Sequence, residues 1–243
     1  MSRHGRILRA PTRHRGFTLI EMLIVIAIIM VLAVIALTSQ SSFNRSFLLA
    51  NTAYDVALTL RSAENYGVGG QTIGASSVGY GVDFQLASPR AFILFADTYP
   101  DVSGTPLCHP VSSSGPTPPN PQPGDCRYEA GSDVQAASYK IGNGISIQDF
   151  CIDVPTGATD NWECASGGTF AQLDVVFARP NATPYMAAGT SGGGWLYSGN
   201  NPFHAVGQVI TKACIKLTSN SGGLEVVEVN AAGEITATGS ACI

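Results

Sequence analysis

The sequence predicts an α+β fold, a long N-terminal helix packed on an antiparallel β-sheet head, and three observations predict it. Residues 17–37, FTLIEMLIVIAIIMVLAVIAL, form the one long apolar run in 243 residues. From Ser42 to Tyr66 there is no proline, and apolar residues recur at three- and four-residue steps. Beyond Gly79 that spacing gives way to short alternating or compact apolar runs punctuated by Gly, Pro and Asn.

The apolar run is long enough, at about twenty residues, to cross the hydrocarbon core as a helix. A secretory signal has a shorter apolar core with small residues at its far end. Here the small residue at a boundary is Gly16, before the run. Five of the thirteen basic residues (Arg3, Arg6, Arg9, Arg13, Arg15) stand in the first fifteen positions with no acid among them. Positive charge stays inside, so residues 1–16 are expected as a cytoplasmic basic leader, 17–37 as a transmembrane helix, and everything after Leu37 as exported. The chain beyond the leader carries eight basic and seventeen acidic side chains, a net charge of −9. Phosphate neutralisation needs Lys and Arg, so nucleic acid is not expected as a partner.

Residues 38–69 are expected as the exported, amphipathic half of the same helix. Phe43, Phe47, Ala50, Tyr54, Ala57 and Leu58 form the stripe expected to pack against the head. Arg61 and Glu64 mark its polar end, and Gly67, Gly69 and Gly70 are expected to stop it. A helix from Phe17 to Tyr66 would be about 75 Å long. Residues 70–243 are then the β-rich head. Strands are expected at Gly79–Phe84, Ala91–Ala96, Ser138–Ile141, Ile145–Ile152, Ala171–Ala178, Val206–Leu217, Leu224–Val229 and Glu234–Thr238, with a turn at Asn230–Gly233. Residues 109–125 hold six prolines and read as a loop bracketed by Cys108 and Cys126. Thr190–Gly194 reads as a surface loop, since its glycines lack the Lys and spacing of a phosphate loop.

The six cysteines (Cys108, Cys126, Cys151, Cys164, Cys214, Cys242) all lie in the exported part, without C-x-x-C spacing. Only His109 and His204 follow the leader, so neither a zinc site nor any other metal or cofactor is expected. An even cysteine count in an exported, Gly-rich region reads as disulfides, the alternative being buried free thiols. Of fifteen connectivities, loop closure favours pairing in sequence order, Cys108–Cys126, Cys151–Cys164 and Cys214–Cys242. No G-x-S-x-G or H-E-x-x-H is present, and an enzyme is not expected.

The junction Arg15-Gly16-Phe17-Thr18-Leu19-Ile20-Glu21 resembles the prepilin cleavage and methylation motif of type IV pilins, type II secretion pseudopilins and competence pseudopilins. The resemblance implies the type IV pilin fold. It also implies cutting between Gly16 and Phe17 by a membrane aspartyl prepilin peptidase, N-methylation of Phe17, and Glu21 as the fifth residue of the mature chain. A carboxylate in a membrane helix costs roughly 2.5–3.5 kcal/mol on insertion scales. In this family it is thought to meet the free amine of Phe17 on a neighbouring subunit; the bland alternative is an acid reaching the interface. More weakly, the helix, glycine break, GYGVDF and ILFAD (93–97) resemble H-type minor pseudopilins.

The implied function is a structural subunit of a type II secretion pseudopilus or type IV pilus. It would span the inner (cytoplasmic) membrane once, with its head in the periplasm or cell exterior. The implied partners are a prepilin peptidase/N-methyltransferase, other pilins or pseudopilins in the filament, the inner-membrane assembly platform and the membrane itself. An alternative is a filament-tip binding module for DNA uptake or adhesion. The arginine-free segment Gly233–Ile243 counts against DNA capture. Asp149, Asp153 and Asp160 are where a calcium site would be sought, as in some pseudopilin heads. Their spacing matches no calcium-loop signature, and solvated carboxylates are the preferred reading.

Overall fold

The structure is a computed structural model that describes residues 16–73, 76–98, 126–155, 159–179, 181–190, 195–197, 210–239 and 241–242. The leader up to Arg15, the proline-rich segment 109–125 with Cys108 and His109, residues 191–194, and His204 with the start of the strand expected from Val206 lie outside the described residues. The chain divides into two compact units, Met1–Asn44 and Arg45–Ile243.

Helix α1 runs from Leu19 to Gly69. Its end is built by glycine chemistry. Gly70 adopts φ +67°, the left-handed conformation that lets the Gln71 amide donate to the Tyr66 carbonyl (3.1 Å) and the Gly70 amide to that of Gly67 (3.3 Å). Two further end carbonyls are satisfied from the sheet: Arg179 donates from Nε to Val68 O (3.2 Å) and from Nη2 to Gly69 O (2.9 Å). Gly67 is not a stop signal but a contact point, since a Cβ there would run into the carbonyl oxygen of Phe177.

Among the described residues the head holds thirteen strands, and every ladder between them is antiparallel. A ribbon joins β1 (Thr72–Ile73) to β2 (Ser76–Ser77). The larger sheet contains β3 (Gly79–Gln85), β4 (Ala91–Asp97), β5 (Val134–Lys140), β8 (Phe170–Ala178), β9 (Asn181–Thr190) and β10 (Trp195–Tyr197), in the order β10-β9-β8-β3-β4-β5. The second contains β6 (Ile145–Asp153), β7 (Trp162–Cys164), β11 (Lys212–Ser219), β12 (Leu224–Asn230) and β13 (Ile235–Thr238), in the order β13-β12-β11-β6-β7. Besides the small ribbon, the single sheet expected from the sequence is therefore two among the described residues. Side chains from both join one apolar core with the Arg45–Gly69 part of α1, which the Arg61 Nη2 bond to Ile235 O (3.0 Å) also ties to β13.

The helix face in that core differs from the expected stripe. Leu49, Ala53, Val56, Ala57, Leu60 and Ala63 are buried, whereas Phe47, Tyr54 and Leu58 are 58, 64 and 50% exposed and Ala50 is exposed too. Of the expected residues only Ala57 is buried, and the side chain of Phe43 lies outside those described. The reason is packing distance. Alanine and glycine on the inner face let the helix backbone approach the sheet, as Gly67 does at Phe177, while large aromatics would hold it off. An expectation weighted towards large apolar residues selects the wrong side.

Candidate functional site

At the processing junction, Gly16, Phe17 and Thr18 precede the first turn of α1. Thr18 caps it: its Oγ1 accepts the Glu21 amide at 3.3 Å, and its carbonyl accepts that of Met22 at 3.3 Å. Thr18-Leu19-Ile20-Glu21 has the Thr-x-x-Glu spacing of a capping box, and an acid in the first turn suits the positive end of the helix dipole. Sequence reasoning singled out Glu21 and passed over Thr18, although the spacing was present. Glu21 thus stands in the first turn, with Phe17 and Gly16 outside the helix and exposed. The helix is long and apolar enough over Leu19–Leu37, 19 residues, to cross a membrane, and that stretch is exposed throughout among the described residues. Surface of this kind needs lipid or other protein around it.

In the head, Cys151 is bonded to Cys164 and Cys214 to Cys242. Cys126 is also in a disulfide. Cys151 faces Cys164 across the β6–β7 ladder and Cys214 across the β6–β11 ladder, so the two bridges adjoin, with Val226 and Trp162 packed around them. Asp149 lies close to both Cys151 and Cys164, a grouping of the kind that holds metals. Here the two sulfurs are spent in their own bond. Asp149 instead accepts from Ser166, at Oδ2 from the hydroxyl (2.6 Å) and at Oδ1 from the amide (3.0 Å).

Two of the three aspartates considered for calcium are not solvated as expected. Asp149 and Asp153 are buried, and Asp153 accepts from the Asn161 amide (2.7 Å) and the Thr211 hydroxyl (2.6 Å). Asp160 is the exposed one, and it pairs with Lys212 at 2.8 Å. Asp149 and Asp153 stand on β6 and Asp160 in the loop before β7, each accepting from groups of its own chain.

Three further basic residues of the head are engaged within the chain. Arg127 pairs with Glu129 (3.4 Å) and lies over the Trp195 ring, Arg179 closes α1, and Lys216 Nζ reaches Cys164 Sγ at 3.6 Å. A surface groove of about 470 Å³ runs beside α1, lined by Asp55, Leu58, Phe92, Tyr139 and Lys140 among others, with neither His nor Cys in its lining.

Residues 11–37 match the family described as the prokaryotic N-terminal methylation motif, a match confined to the junction and the apolar helix. No curated protein and no solved structure matches the chain. The chain therefore carries a prokaryotic N-terminal methylation motif on an α+β fold, both consistent with a type IV pilin-like protein. More particularly, the motif supports a pilin or pseudopilin processed by a prepilin peptidase, and together with the apolar helix it fits a membrane-anchored chain with an exported head.

Proposed function

We propose that this chain is a minor pseudopilin or minor pilin, a structural subunit of a type II secretion pseudopilus or type IV pilus. The peptidase cuts between Gly16 and Phe17 on the cytoplasmic side of the inner membrane, and the new amine of Phe17 is N-methylated. The shortened chain then leaves the membrane for a filament, meeting other pilins or pseudopilins and the assembly platform. One observation carries this reading. Within the matched stretch stand the 19 residues Leu19–Leu37, all apolar but one carboxylate, Glu21, and all exposed among the described residues.

That carboxylate has a physical role to fill. A carboxylate in an apolar membrane helix calls for a partner, and cutting after Gly16 creates one, the Phe17 amine of a neighbour. Pairing offsets the cost of burying both and sets the axial register of the incoming subunit. The test is to express Glu21→Ala and Gly16→Leu with their partner subunits. Precursor size and recovery in sheared filaments are then compared. Glu21→Ala should insert and be cut but be lost from filaments, since breaking one side of a buried pair costs roughly 3–5 kcal/mol. Gly16→Leu should stay uncut and anchored. Normal incorporation of the Ala variant would remove the charge-pair role.

A further inference from the structure

On the face of the larger sheet away from the main apolar cluster, two acids stand opposite each other. Asp83 on β3 and Asp174 on β8 are direct register partners, 1 and 0% exposed, so their carboxyl groups stand side by side in one buried site. The outer oxygens are served by amides. Gln85 Nε2 donates to Asp83 Oδ2 (2.9 Å), and Asp174 Oδ2 accepts from Gln172 Nε2 (3.0 Å) and from the Tyr128 amide (3.3 Å). The remaining oxygen of each, Oδ1, is buried with no donor. Two ionised carboxylates have only acceptors to offer each other, so this contact needs a proton.

The same groups hold down the segment that starts at Cys126. Besides the Tyr128 amide on Asp174, Gln172 Nε2 also donates to Tyr128 O (3.1 Å), and Cys126 and Tyr128 pack on Phe95 and Val176 of the same face. Asp97 of β4 takes the Cys126 amide (2.7 Å), and Asp133 takes those of Thr98 (2.9 Å) and Glu129 (2.7 Å). The charged and titratable groups around the pair are thus Asp97 from β4, Tyr185 from β9, and Tyr128 and Asp133 from the covering segment. The nearby cation, Arg127, is turned to Glu129 and Trp195. We propose that Asp83 and Asp174 hold one shared proton at neutral pH, and that this proton latches the Cys126–Asp133 segment onto the sheet.

Burial, the largest cause, pushes Asp83 up to about 6 and Asp174 well above the carboxylate range, the latter raised further by the charge of Asp83. The folded chain thus binds more protons than the unfolded one, so the pair's contribution to stability is full at low pH and falls as pH rises. The first proton leaves near pH 6, and the second leaves at higher pH. Its loss puts two negative charges side by side in a dry site, and lifting the segment to admit water is the available relief.

The test uses the full chain in detergent micelles. Infrared spectroscopy at pH 7.5 should show the carbonyl band of a protonated carboxylic acid, and the double variant Asp83→Asn/Asp174→Asn should lack it. Asp83→Asn supplies a permanent N–H donor to Asp174. It should flatten the fall in Tm between pH 5 and pH 9, which in the parent should be larger by about 5 °C or more. Exchange of the Tyr128 amide, corrected for intrinsic rate, should accelerate at least about tenfold over that range in the parent only. Absence of the acid band, or equal pH dependence in parent and variant, would overturn the proposal. So would a Tm raised by millimolar calcium with loss of the band, which would make the pair a cation site. The infrared result on the parent stands even where a variant does not fold.

Discussion

Residues in this chain do their work through very local geometry, and the glycines at the end of α1 show how local. Gly67 and Gly69 are two positions apart on one helix, yet a Cβ at Gly67 would meet the Phe177 backbone while one at Gly69 would meet nothing within 4 Å. Gly67→Ala should therefore destabilise the chain by about 1–3 kcal/mol, as overpacking does, and lower Tm accordingly. Gly69→Ala should be neutral or slightly stabilising, because Ala is the better helix former. Thermal unfolding of the two variants side by side checks this. Equal effects would mean that the approach of α1 to β8 is looser than it stands here. Thr18 is the comparable residue at the other end. Thr18→Ala removes the cap on the Glu21 amide and should cost helix stability by about 1 kcal/mol, seen as fraying of the first turn in amide exchange.

Elements differ in how far their sequence reveals them. α1 was legible because uninterrupted apolarity and then helical spacing leave no alternative over Leu19–Gly69. Which face of it is buried was not, since the inner face is rich in Ala and the outer carries Phe47 and Tyr54. Leu60→Ala should cost about 2–5 kcal/mol and Tyr54→Ala no more than about 0.5 kcal/mol, measured by denaturant unfolding. The reverse order would restore the aromatic stripe to the core. Strand β9 was missed for a different reason. Asn181–Thr190 contains Pro184 and is rich in Ala, neither a strand signal. The fold tolerates the proline because the ladder with β8 is irregular nearby, its register shifting between Val176 and Ala178. β7, three residues long, is defined by its cross-strand disulfide to Cys151 more than by any pattern of its own. The Asp83–Asp174 pair was invisible because the two residues are 91 positions apart in sequence and meet only through β3–β8 register.

At the scale of the whole molecule the two compact units have different demands. The Arg45–Ile243 unit is a core of large buried side chains closed by disulfides, and its last strands are tied down by Cys214–Cys242 over a separation of 28 residues. Replacing both cysteines by Ser should cost about 3–4 kcal/mol by the loop-entropy estimate, read as an earlier denaturant midpoint. In the Met1–Asn44 unit no described side chain is buried, and the apolar stretch Leu19–Leu37 is exposed throughout. Membrane first and filament afterwards are the environments that resolve this, and the processing junction is what connects them. The most direct test is therefore the N-terminal peptide of the chain recovered from cell envelopes that contain a prepilin peptidase, identified by mass spectrometry. It should begin at Phe17 carrying one N-methyl group, with the apolar helix retained behind it. A chain that begins upstream of Phe17, or one cut beyond Leu37 with the apolar helix gone, would contradict it.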